Sequence, residues 1–250
     1  MDQSPAYYLC AIFAVVLSGL AKGGFSGVGA LAMPVMALAI DPVRGAAILL
    51  PILIVQDAVG VWAFRRSWDG PVLKVMLPGM AVGVALGYLF AAQVSERGVL
   101  GAVGGISLLF GLHRLWTERG GAIVLPSSAP GWTGTLFGVI SGFTSQIAHA
   151  GAPPFQMWVL PRRLPRDIFV GTSAIAFAVM NWMKLPAYAA LGQFTRANML
   201  ATAMLVPVAL ASTIAGVMLV RKVDPARFYT LIYLLMVVLG FKLLADALLF

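Results

Sequence analysis

Long apolar runs separated by short polar clusters set the rhythm of this chain. They fall at roughly 5–21, 28–40, 44–64, 71–92, 98–112, 132–147, 151–160, 167–190, 197–220 and 226–249. The strands of a membrane β-barrel alternate apolar and polar positions, whereas these runs are continuous, so helices are predicted. A helix needs about 20 apolar residues to cross a hydrocarbon core about 30 Å thick. Most runs suffice. The second is only about 13 residues, or roughly 20 Å of helix, and the first, sixth and seventh are also short or broken. The short runs come in pairs, one pair at the start of each half.

The halves match elsewhere. The segment "MLPGMAVGVALGYLFAAQVSERG" (76–98) resembles "MLVPVALASTIAGVMLVRKVDPAR" (204–227). Pro78 aligns with Pro207, Gly87 with Gly216 and Gly111 with Gly240, all at a shift of 129. Ser18-Gly19 likewise stands over Ser141-Gly142. We therefore expect one membrane domain made of two five-segment repeats, 1–120 and 121–250.

Composition sharpens this picture. Of 250 residues, 60% are hydrophobic and 10% charged, against about 25% charged in a soluble domain. The expected class is an all-α integral membrane protein. The net charge of +8 is spread between apolar runs, as the positive-inside rule produces, and is not read as a nucleic-acid footprint. The single cysteine, Cys10, cannot form an internal disulfide. The first run lacks a basic n-region and carries Asp2, so it is read as a membrane element rather than a cleaved signal peptide.

The cations also choose the topology. If each short pair enters and returns, the connections at 65–74, 113–119, 161–166 and 221–227 share one side. They hold Arg65, Arg66, Lys74, Arg114, Arg119, Arg162, Arg163, Arg166, Arg221, Lys222 and Arg227. The other side keeps Arg44, Arg97, Lys184 and Arg196. If each pair instead makes one crossing, the bias vanishes. The first arrangement puts both termini outside the cytoplasm. An odd number of segments per half makes the repeats inverted, the pattern of secondary transporters with a site at the helix breaks.

The breaks hold the candidate chemistry. In "GLAKGGFSGVGALAMP", Gly23, Gly24 and Gly27 allow a broken turn whose amides could face a ligand. Lys22 adds a positive charge and Ser26 a hydroxyl, which together suit a small anion. Equally, the small residues could serve close helix packing, and Lys22 could mark the end of the first segment. In the second break, "GFTSQIAHAGAPPFQ" offers Thr144, Ser145, Gln146 and His149. His149 is either a hydrogen-bonded packing residue or a ligand or proton contact, and His113 is read as solvated in a basic loop. Asp57 is the acid well inside a spanning segment. It either pairs with Lys22 or carries protons, with Gln56 beside it and Asn181 in the matching region of the second half. Thr172 and Ser173 either bond back to their own helix or face the cavity. The tryptophans at 62, 68, 116, 132 and 158 suit interfacial anchoring. Trp182 is deeper, where packing or a cavity would hold it. The methionines show no metal-site spacing, and neither a metal nor a cofactor is expected.

With these residues in view, the chain resembles the TauE/SafE family of membrane permeases over nearly its whole length. The likeness rests on "AKGGFSGVGALAMPVMAL", on "VQDA" and on "FVGTSAIAF". In the second half the glycine-rich repeat is replaced by "SQIAHAGAPP". The resemblance implies transport, often outward, of sulfite or a small organosulfonate such as sulfoacetate across a bacterial inner membrane. The residues themselves point only to an anion pathway. They leave open another small anion such as thiosulfate or a carboxylate, a metal cation, a channel-like route and a homodimer. An intramembrane enzyme is the rival of another class, since Ser145, His149 and Asp57 could imitate a triad; a scaffold or sensor is a further one. The expectation is that the protein is not an enzyme.

Overall fold

A computed structural model of the chain describes residues 5–25, 27–121, 130–219 and 226–249, the first four residues of the last stretch by backbone alone. Ser26 lies outside the described residues, as do Arg221 and Lys222. Ten α-helices follow one another: α1 (Pro5–Lys22), α2 (Ala32–Ala37), α3 (Pro42–Phe64), α4 (Gly70–Gln93), α5 (Glu96–Glu118), α6 (Gly131–Ala148), α7 (Ala152–Val159), α8 (Arg166–Ala190), α9 (Arg196–Leu219) and α10 (Ala226–Leu249). A 3-10 turn at Val28–Leu31 leads into α2, and another at Leu160–Arg162 follows α7. Among the described residues, seven helices are long and apolar enough to cross a membrane. Short polar side chains fix where helices begin: Asp41, Asp69 and Ser95 accept the amides of Arg44, Val72 and Gly98 at 2.9, 2.8 and 3.3 Å, satisfying donors that a helix start leaves unpaired.

Two bundles of three run in opposite directions. In the first, α1, α3 and α9 lie parallel. Gln56 Nε2 donates to the Val15 carbonyl at 3.1 Å, Thr202 Oγ1 to Ile48 at 3.1 Å, and Arg44 Nε to Asn198 Oδ1 at 3.3 Å. In the second, α4, α6 and α8 lie parallel. Thr135 Oγ1 donates to the Val75 carbonyl at 3.0 Å, and the Asp69 amide to Thr172 Oγ1 at 2.8 Å. Because α3 turns into α4 over a short connection, the two bundles are antiparallel. The first helix of one half therefore runs against the first helix of the other. Outside them α5 and α10 pack together, with Gly104 against Gly240.

The backbones meet closely. A Cβ on Gly23 would sit 2.5 Å from the Gly216 backbone, and one on Gly142 only 2.2 Å from the Met80 carbonyl oxygen. Small residues at these crossings let helices approach where lipid offers no hydrophobic drive for association.

Each short helix returns toward the end from which its partner came. Lys22, at the end of α1, reaches the level of Asp57 and Gly60 on α3. The chain then doubles back until Met36 packs on Gly45. In the second half, His149 at the end of α6 reaches the Ala46 carbonyl. Then α7 returns, and the Trp158 indole N–H donates to Thr133 Oγ1 at 3.0 Å.

Several expectations are corrected. Lys184, counted among the cations of one membrane side, is fully buried inside α8. Trp182 lines neither of the two cavities described below and is 62% exposed on the outer face of α8. Trp158 is not an interfacial anchor but buried, with the Arg162 guanidinium over its ring at 3.5 Å. His113 belongs to α5 rather than a loop, and both its ring nitrogens are buried. Of the remaining described cations, Arg65, Arg66, Lys74, Arg114, Arg119, Arg162, Arg163 and Arg166 gather at one end of the bundle, and Arg44, Arg97 and Arg196 at the other.

Candidate functional site

The first break follows from its sequence. After Lys22 the chain turns through Gly24 and Gly27 at φ 123° and 100°, values that side chains with a Cβ rarely adopt. The amides of Gly23 and Gly24, expected to face a ligand, donate instead to the carbonyls of Gly19 and Ala21 at 2.9 and 3.1 Å. What the turn delivers is the Lys22 side chain. Its ammonium lies 2.5 Å from Asp57 Oδ1 and 5.2 Å from the centre of the Phe177 ring. Asn181 Nδ2 donates to the other carboxylate oxygen at 2.6 Å. Asp57 is almost fully buried, and these contacts supply the pairing that a buried carboxylate requires.

The second break is built differently. His149 closes α6 in the left-handed conformation, at φ 50°, and Ser141 Oγ ties down the Gly151 carbonyl at 2.7 Å. Pro153 and Pro154 suit the first turn of α7 but take two amide donors away from it. Side chains take their place. Lys184 Nζ lies 3.1 Å from Ser145 Oγ, 3.2 Å from the Ser145 carbonyl and 2.8 Å from His149 Nδ1. His149 Nε2 faces the Ala46 carbonyl at 3.0 Å. A carbonyl only accepts, so Nε2 carries the proton and Nδ1 accepts from Lys184. Three acceptors around Nζ match the three donors of an ammonium.

The two breaks share one wiring plan. Lys22 and His149 are 127 residues apart, Asp57 and Lys184 are also 127 apart, and so are Ser18 and Ser145. In each half a residue at the end of the first helix reaches the same position on the third. The residue type at that position is reversed: an acid, Asp57, in the first half and a base, Lys184, in the second.

Between the breaks lies a cavity of about 80 Å³, well above what a single water needs. Of the expected site residues, the structure brings Lys22, Gly27, Ser145, His149, Ser173 and Asn181 to its wall, beside Ser18, Gln156 and Phe177. Lys184 stands directly behind Ser145 and His149. Others stand away from the wall. Gln56 ties α3 to α1, Thr172 donates to the Ile168 carbonyl at 2.6 Å while holding the start of α4, and the Gln146 carbonyl accepts from Tyr188 at 3.2 Å. Ser173 both lines the cavity and bonds back to the Phe169 carbonyl at 2.8 Å. Ser145, His149 and Asp57 are not wired as a triad, because both nitrogens of His149 are taken by Lys184 and Ala46. Lys184 and Gln156 were missed in the sequence. The equal spacing of 22 to 57 and 149 to 184 was the available signal for Lys184.

A polytopic helical bundle with one lysine at a helix break and a second buried behind the cavity between the breaks is the architecture of a membrane transporter for a small charged solute. The chain belongs to the sulfite exporter TauE/SafE family, whose family model matches residues 11–243. It is a multi-pass membrane protein and a transporter of a small anion. Neither the curated proteins nor the solved structures give a match.

Proposed function

We propose that the protein binds sulfite, or a small organosulfonate such as sulfoacetate, in the central cavity and carries it outward across the bacterial inner membrane. The observation that carries this reading is the charge count. Lys22 is paired with the carboxylate of Asp57, and Lys184 is fully buried behind Ser145 and His149, so with Lys184 protonated one positive charge is left for a substrate to balance. A buried anion needs several donors, and Lys22, Ser145 and Asn181 are within its reach. The small cavity favours a compact oxyanion. Asp57 holds Lys22 in place, while the His149–Lys184 hydrogen bond offers a path for a proton between Nδ1 and Nζ.

In this reading residues 1–120 and 121–250 are inverted repeats that move against each other to alternate access. The opposed directions of α1 and α6 support it. The end richer in cations faces the cytoplasm, with both termini on the other side. The test is flux into proteoliposomes with sulfite, thiosulfate, sulfoacetate, taurine and acetate. Sulfite or a sulfonate should be carried, and Lys22→Ala should reduce flux without loss of folded protein. A variant that carries the anion as fast as the parent removes Lys22 from the site.

A further inference from the structure

A second, wider cavity of about 380 Å³ lies toward the cation-rich end, lined by Arg114, Arg166, Glu118 and Tyr233 among others. It shares Gln156 and Val170 with the wall of the central cavity. Arg114 donates to Gln156 Oε1 at 2.7 Å, and its guanidinium lies over the Tyr233 ring at 5.3 Å. A Cβ on Gly27 would come 3.7 Å from the Arg114 guanidinium and 3.9 Å from the Gln156 amide, so this pair sits directly against the first helix break. Glu118, the carboxylate in this wall, accepts from Thr230 Oγ1 at 2.7 Å.

We infer that this outer cavity is a second oxyanion site, in which Arg114 receives the solute before it enters the central cavity. The Arg114 guanidinium presents paired N–H groups that match an oxyanion. An anion on Arg114 competes with Gln156 Oε1 for the same donors. Its arrival releases Gln156 from the partition between the two cavities, so occupancy of the outer site and opening toward the inner one are linked. The inference rests on the anion-transport reading and extends it to a face-specific step.

Sulfite uptake into everted and right-side-out membrane vesicles, measured with Arg114→Gln and Arg114→Lys, tests this. Losing one charge-assisted contact is expected to raise half-saturating sulfite about tenfold in everted vesicles, where the cation-rich face is outermost. Half-saturation in right-side-out vesicles should stay as in the parent. Arg114→Lys should recover part of the loss by keeping the charge. A structural role for Arg114 would lower the maximal rate on both faces alike, and that result, or an unchanged half-saturation in everted vesicles, overturns the inference. If parent vesicles carry neither sulfite nor sulfoacetate, the transport reading falls and the outer site with it; flux in the parent with no face-specific shift removes the outer site alone.

Discussion

Replacing Lys184 by methionine removes a buried charge while keeping an unbranched side chain of similar length. A sulfite resting on Ser145 Oγ would lie about 6 Å from Nζ. That distance combines the 3.1 Å Lys184–Ser145 contact with about 2.7 Å for a hydroxyl donating to an anion. At an effective dielectric of about 20, unit charges about 6 Å apart attract by about 2.8 kcal/mol, or roughly a hundredfold in affinity. Burial leaves that attraction little screened by salt. The unliganded protein should change much less, because the lost hydrogen bonds to Ser145 and His149 are offset by no longer burying an ammonium. The assay is thermal unfolding of the purified protein against sulfite concentration, since a ligand raises stability with RT ln(1 + [L]/Kd). In Lys184→Met the rise in Tm should begin at roughly a hundredfold higher sulfite, whereas Lys184→Arg should stay near the parent. If the rise begins at the same sulfite concentration in Lys184→Met, with an unchanged unliganded Tm, Lys184 lends the site no charge and the argument from net charge is refuted.

Other expectations follow from the same geometry. Asp57→Asn leaves Lys22 without its counter-charge, so sulfite should bind more tightly and turn over more slowly, seen as a joint fall in half-saturation and maximal flux. Gly23→Ala forces a methyl into the Gly216 backbone and should destabilise the α1–α9 contact by about 1–3 kcal/mol, read as a lower Tm. Ser141→Ala removes the shorter of the two donors to the Gly151 carbonyl, leaving the Phe155 amide at 3.4 Å, and should cost about 0.5–1.5 kcal/mol; an unchanged Tm would mean that the second break needs no such tether.

Much of this architecture can be read from the chain, because in a bilayer a long apolar run has few alternatives to helix. The predicted runs at 44–64 and 71–92 correspond to α3 and α4 within a few residues, since Asp41 and Asp69 cap their starts. The breaks at 23–27 and 149–151 were visible through their glycines and prolines. Lys184 falls inside the predicted run 167–190 but was counted with the cations of one membrane side, because its position alone does not tell a buried lysine from one at a helix end. Gln56, Gln146 and Thr172 show a second limit: a buried polar side chain must have a partner, but its sequence position does not tell a carbonyl on the next helix from a solute. For Lys22 the choice between ion pair and cavity contact dissolves, as it makes both.

The exchange of an acidic for a basic residue between positions 57 and 184 means that the two halves, though connected alike, are electrically unequal. A solute approached first by one half meets a self-neutralised lysine; approached first by the other, it meets an uncompensated cation. Half-saturation on the two membrane faces should therefore differ, while the driving gradient sets the final distribution: a carrier with two different doors and one common destination.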